Sequence, residues 1–222
     1  MSSWMKNAMR GALLVPLAGS AGLIAHAQEA SAVSAYVDSS YLFLIGGLIV
    51  MFMAAGFLCL ESGLVRSKNA SMQSLKNVSL FSVAGLMFWL IGYNIAYPGS
   101  TALSGIIGIP ATLFWGSGAE ESLVTGYAAY SDWFFQMVFV ATAASIVSGT
   151  VAERVKLWSF LIFVVFLAGF IYPTVVSWEW GGGYLDSEWA FSDFAGASLV
   201  HSTGGWAALV GAIIIGPRAG KY

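Results

Sequence analysis

The sequence predicts an all-α, polytopic membrane protein: five transmembrane helices behind a cleavable export signal. Three observations lead to this class. The 222 residues are 58% hydrophobic and only 9% charged, with a mean hydropathy of +0.79, whereas a soluble domain is about one quarter charged. Such a chain cannot cover a water-facing surface with polar groups. Five continuous apolar runs each approach the ~20 residues that a helix needs to cross a ~30 Å hydrocarbon core. Lys and Arg are confined to alternate loops between those runs.

The elements follow in order. Lys6 and Arg10 give a basic start, 11–24 is apolar but short, and "AHAQ" puts Ala25 and Ala27 at the −3 and −1 positions of an export cleavage site. Residues 1–27 are therefore expected to be a signal peptide and 28–222 the membrane domain. An uncleaved first span is the competing reading, which the shortness of the run and its small-residue exit disfavour. The five spans are expected at 41–65, 78–97, 133–152, 157–178 and 194–216. A β-barrel needs alternating ten-residue strands, and these runs are continuous, so helices satisfy the backbone within each span.

Arg66, Lys68 and Lys76 are expected between spans one and two, Arg154 and Lys156 between three and four, and Arg218 and Lys221 after five. The opposite loops, 98–132 and 179–193, hold no Lys or Arg and carry Glu120, Glu121, Asp132, Glu179, Asp186, Glu188 and Asp193. The positive-inside rule puts the mature N-terminus outside and residue 222 in the cytoplasm. With an export signal, that orientation fits the inner membrane of a Gram-negative bacterium. An odd number of spans followed by a copy of itself yields an inverted repeat, a common transporter plan. No such copy lies within these residues.

Ionisable groups inside a membrane are functional candidates by default, because placing them there costs several kcal/mol. Asp193 stands where span five begins and can accept from the free N–H groups of its first turn. His201 lies eight residues on, about 12 Å deeper at 1.5 Å per residue. Its neutral ring offers one donor and one acceptor. Ala195, Gly196, Ala197, Ser198, Gly204 and Gly205 surround it, and small residues let other backbones approach, so this stretch is expected inside a bundle. Trp178 and Trp180 fall where interfacial aromatics belong. The three glycines after Trp180 permit a turn that aims an indole at a pore mouth. Phe139, considered alone, reads as core. Cys59 sits among apolar residues as packing, and a single cysteine excludes an internal disulfide. No metal site is expected, since the other histidine, His26, lies in the signal.

Together "DFAGASLVHSTGG", "WEWGGG", "FFQMVFVATAASIVSGTVAER" and "GLVRSKN" resemble the ammonium transporter, methylamine permease and Rhesus family, over essentially all of residues 41–222. The bacterial Amt branch is the more similar. The resemblance implies an eleven-helix, five-plus-five inverted-repeat fold, of which this chain supplies the first half. It implies homotrimers with one pore per subunit, ammonium or ammonia as substrate, no cofactor, and a cytoplasmic nitrogen-regulatory PII-type partner. Carried over residue by residue, Trp180 matches the tryptophan of the external ammonium-recruiting site, and Phe139 the outer phenylalanine of the pair that closes the pore. Asp193 matches the aspartate that orders that site, and His201 the first of the twin pore histidines. The second histidine, the second phenylalanine and the recruiting serine have no positions here, so a partial chain is expected. An ammonium-sensing domain of a signalling protein is the alternative. An enzyme is not expected, because Glu61, near the inner end of span one, is nearly a membrane away from Asp193, beyond hydrogen-bond reach.

Overall fold

A computed structural model describes residues 3–98, 102–103, 106–108 and 125–220, with only the backbone of 3–27, 102–103 and 107–108. Glu120, Glu121, Lys221 and the side chains of the expected signal lie outside the described residues. Among the described residues, five helices are long and apolar enough to cross a membrane: Gln28–Leu64, Ser67–Ala96, Ala129–Thr150, Leu157–Ser177 and Ala197–Ile215. They are spans one to five below. The first continues an unbroken helix that starts at Ser3. A two-residue antiparallel hairpin, Ala102–Leu103 with Ile107–Gly108, sits in the loop before span three, and a one-turn helix, Tyr184–Ser187, in the loop before span five.

Span one begins at Gln28 rather than 41, and the starts of spans two and three differ from the sequence expectation for one reason: polar side chains that look like loop residues find partners inside the bundle. Span two begins at Ser67 rather than 78. Lys76, expected in a loop, is inside the helix and only 4% exposed. Its Nζ donates to the Ser148 carbonyl at 2.8 Å and lies 5.1 Å from the Phe160 ring centroid. Beside it, Glu61 is 2% exposed. Its Oε2 accepts from Gln73, from Asn77 at 2.8 Å and from the Ser148 hydroxyl at 2.7 Å. Buried polar groups survive in a low-dielectric interior when they are bonded in this way, and this cluster joins spans one, two and three. Span three likewise starts at Ala129, which brings Asp132 into its first turn instead of the loop.

Span three forms the centre and packs on spans one, two and five. Its buried face is built from Val138, Ala141, Ala143, Ala144, Ser145 and Ser148, small groups that allow close helix approach. A Cβ on Gly204 of span five would lie 2.8 Å from the Ala143 carbonyl oxygen, so these backbones touch. Spans two and four each contain a π-helical turn, Phe88–Gly92 and Leu167–Ile171. The two turns meet where a Cβ on Gly92 would lie 2.7 Å from the Ala168 carbonyl. Cys59 is exposed on span one, not packed, because the last half of that helix presents most of its apolar side chains outward.

The basic residues gather at one end of the bundle around Glu153, whose side chain is 5% exposed. Its Oε1 accepts from Asn69 Nδ2 at 2.7 Å, from the Arg66 backbone N–H at 2.9 Å and from Arg66 Nε at 3.1 Å. Its Oε2 lies 3.4 Å from Arg218, which also donates to the Leu64 carbonyl. The Asn69 bond first, then the Arg66 contacts, hold the Glu153 carboxyl down to about 2. Arg154 donates to the carbonyls of Gly216 and Thr150. All three connections at this end are thereby tied together.

Candidate functional site

The opposite end carries the candidate site, and its framework is built from backbone bonds. Span four ends in a turn where Gly182 takes φ +70°, in the left-handed region that favours glycine. Its neighbour Gly181 has no room for a side chain: a Cβ there would collide with the Ala96 carbonyl oxygen. The turn presents Trp180, whose indole Nε1–H donates to the Asp193 carbonyl at 2.7 Å. The Asp193 N–H in turn donates to Glu179 Oε1 at 3.0 Å. The indole is fixed from both sides of the loop.

The Asp193 carboxylate faces span five. Oδ1 accepts from Gly196 N–H at 3.0 Å and Ala197 N–H at 2.9 Å. Oδ2 accepts from Ser198 at 2.7 Å and Leu199 at 2.8 Å. These are the orphan donors of a helix start, and the positive end of the helix dipole favours the charge. Burial acts to raise the Asp193 pKa, but the four backbone bonds outweigh it and hold the carboxyl below the ordinary aspartate range. Gly196 makes this wrap possible with φ +80°. A Cβ there would sit 2.6 Å from Val200 Cγ2 and 3.2 Å from Trp180 Cη2.

Span five opens as a π-helical turn, Ala197–Ser202, a feature frequent at functional sites. The Gly196 carbonyl accepts from the N–H groups of Val200 and His201. His201 Nδ1 lies 3.1 Å from that same oxygen. A carbonyl can only accept, so this contact requires a proton on Nδ1, the tautomer in which Nε2 is free to accept. Leu199, Val200, Gly204 and Ala208 are buried, while His201 and Ser202 are exposed on the surface of the five-span unit. Within the five-span unit the segment is therefore packed on one face.

Trp180 and Phe139 meet at one cavity of about 350 Å³. Their rings stand edge to face with centroids 6.0 Å apart. Phe135 lies 5.0 Å from Phe139 and stacks with Phe43 at 5.4 Å, and Tyr127 stands edge-on to Phe43 at 5.0 Å. Tyr97, Asp132, Gln136, Phe194 and Ala195 complete the lining. The four expected site residues thus divide. Trp180 and Phe139 line the cavity, Asp193 braces it through its carbonyl, and His201 lies off it along span five. Asp132, Phe135 and Gln136 were missed by sequence reasoning. A signal existed, since 132, 135, 136 and 139 follow the spacing of one helical face. A hydrophobic-run reading cannot weight it, because Phe is abundant in this chain.

These features define a multi-pass membrane protein with an aromatic cavity at one end of its bundle. The Ammonium Transporter Family matches residues 41–222, and the chain belongs to it. Ammonium transporter Amt2 of Haloferax mediterranei is 42% identical over 178 residues, 78% of this chain and 38% of that protein. Ammonium transporter Amt2 of Archaeoglobus fulgidus is 39% identical over 188 residues, 81% of this chain and 38% of that protein. A solved structure named Sensor Amt Protein superposes with a TM-score of 0.74 at 35% identity, covering 82% of this chain and 45% of that one. The chain spans about two fifths of the length of the curated relatives it matches.

Proposed function

We propose that this chain contributes one half of an ammonium pathway across a membrane. The observation that carries the reading is the braced indole of Trp180 over Phe139 at the end of a membrane bundle, in a chain of this family. An aromatic face attracts a small cation, and ammonium, unlike potassium, can donate hydrogen bonds and release a proton. Once neutral, ammonia can enter a dry passage that opposes charge. His201 Nε2 is then an acceptor for the hydrogen bond that ammonia would otherwise lose. The exposure of His201 on the five-span unit fits a pore whose second wall comes from further residues of a family-length protein or from a partner chain. Trp180, Phe139 and Asp193 form the recruiting end in this reading, and His201 lines the pore.

The test is ammonium-evoked current in proteoliposomes holding this chain, with His201→Ala beside it. A current lost in the variant supports the reading. An ammonium current of wild-type size and selectivity in His201→Ala refutes the role of His201. Sensing is the second reading, favoured by the likeness to a structure named as a sensor. Ammonium binding without any current in family-length protein would select it. The clustering of Arg66, Arg154 and Arg218 at one end supports a cytoplasmic assignment for that end, and residues 1–27 are read as a signal. Intact-mass measurement of chain purified from a bacterial inner membrane tests the cleavage after Ala27. Light scattering and pull-down with a PII-type protein test the trimer and that partner.

A further inference from the structure

The cavity has a charged wall that the roles above leave unused. The Asp193 carboxylate is committed to four N–H groups of span five. Among the described lining residues, Asp132 alone carries a formal charge. It is 4% exposed and sits in the first turn of span three, where the helix dipole favours a carboxylate. Its Oδ2 accepts from the Tyr93 hydroxyl. Its Oδ1 accepts from Gln136 at a long 3.4 Å. A carboxylate has about four acceptor positions, so these two bonds leave capacity unused. Tyr97, also on the cavity wall, has a buried hydroxyl with no hydrogen-bond partner among the described residues.

From this placement we infer that Asp132 is the anionic ligand of the cavity. It binds an ammonium-type monocation by charge-assisted hydrogen bonds while Phe135, Phe139 and Trp180 offer their rings. The inference rests on the ammonium reading and adds the residue that supplies the charge. A buried carboxylate facing aromatic rings suits a donor cation better than a bare metal ion. The cation's N–H groups pair with the carboxylate, and its remaining surface meets the rings. The volume of about 350 Å³ also accommodates methylated ammonium or several waters of about 30 Å³ each.

The test is titration calorimetry of methylammonium chloride into the 222-residue chain in nanodiscs. Asp132→Asn should weaken binding by about tenfold to a hundredfold, the range of a charge-assisted hydrogen bond. Asp132→Glu should recover most of it. Tyr93→Phe removes a partner of Asp132 but leaves the charge, so its affinity should stay within about threefold. If Asp132 only holds Tyr93 in place, Tyr93→Phe will instead reproduce the loss, which overturns the inference. If Asp132→Asn does not fold, Gln136→Lys puts a counter-cation beside Oδ1. Unchanged affinity in that variant overturns it equally. Wild-type binding that Asp132→Asn leaves intact overturns the inference and spares the transport reading. A wild type that binds no methylammonium overturns it too, and the transport reading then stands on the current measurement alone.

Discussion

Replacing Asp193 by alanine removes four acceptor bonds at once from the start of span five. The bonds to Gly196 and Leu199 are buried, and those to Ala197 and Ser198 are partly so. A hydrogen bond to a charged group contributes about 1.5–3 kcal/mol net. The half-buried donors recover water in the variant, so each contributes nearer the ~0.5 kcal/mol of an exposed cap. The loss is then about 4–7 kcal/mol, above the 0.5–3 kcal/mol of most substitutions. Thermal unfolding in detergent, followed by tryptophan fluorescence, should show Tm falling by about 10 °C or more. Asp193→Asn should fall between the two, because its amide nitrogen cannot accept. Amide exchange at residues 196–199 should speed up in both variants. An alanine variant that unfolds within about 2 °C of the wild type, with unchanged exchange at those amides, would falsify the capping account.

Three further predictions extend to the neighbouring turn, the buried cluster and the acid window. Gly196→Ala should cost about 1–3 kcal/mol, from the left-handed φ and the contact with Val200. It should also shift the Trp180 emission spectrum, since the new methyl meets the indole; an unchanged spectrum and Tm would contradict the packing. Glu61→Ala strands the donors of Gln73, Asn77 and Ser148 in the bundle interior and should destabilise by about 3–5 kcal/mol; denaturant unfolding measures it, and a loss under about 1 kcal/mol would refute the cluster's role. Acid stability has a set window: Glu153 and Asp193 have folded pKa values below their ordinary ones. Their contributions are complete above the ordinary carboxylate range and vanish as pH falls through the folded values. The wild type should lose stability from about pH 4.5 toward pH 2, and Glu153→Gln should flatten much of that slope; an identical slope in the variant would remove Glu153 from the account.

The sequence by itself determined the class, the number of spans and the sorting of basic and acidic loops. Those properties follow from summed hydrophobicity and charge, which need no knowledge of neighbours. The capping role of Asp193 was legible for the same reason, because the unpaired donors of a helix start are local and their partner is nearby in sequence. The tertiary structure decided what depends on groups far apart in the chain. Lys76 and Asp132 read as loop residues until Ser148 and Tyr93 are brought beside them. Phe139 reads as anonymous core until Trp180, 41 positions later by sequence number, is turned onto it by the carbonyl of Asp193. Composition shows which charges must avoid lipid; only packing shows which of them found a partner and which face a cavity.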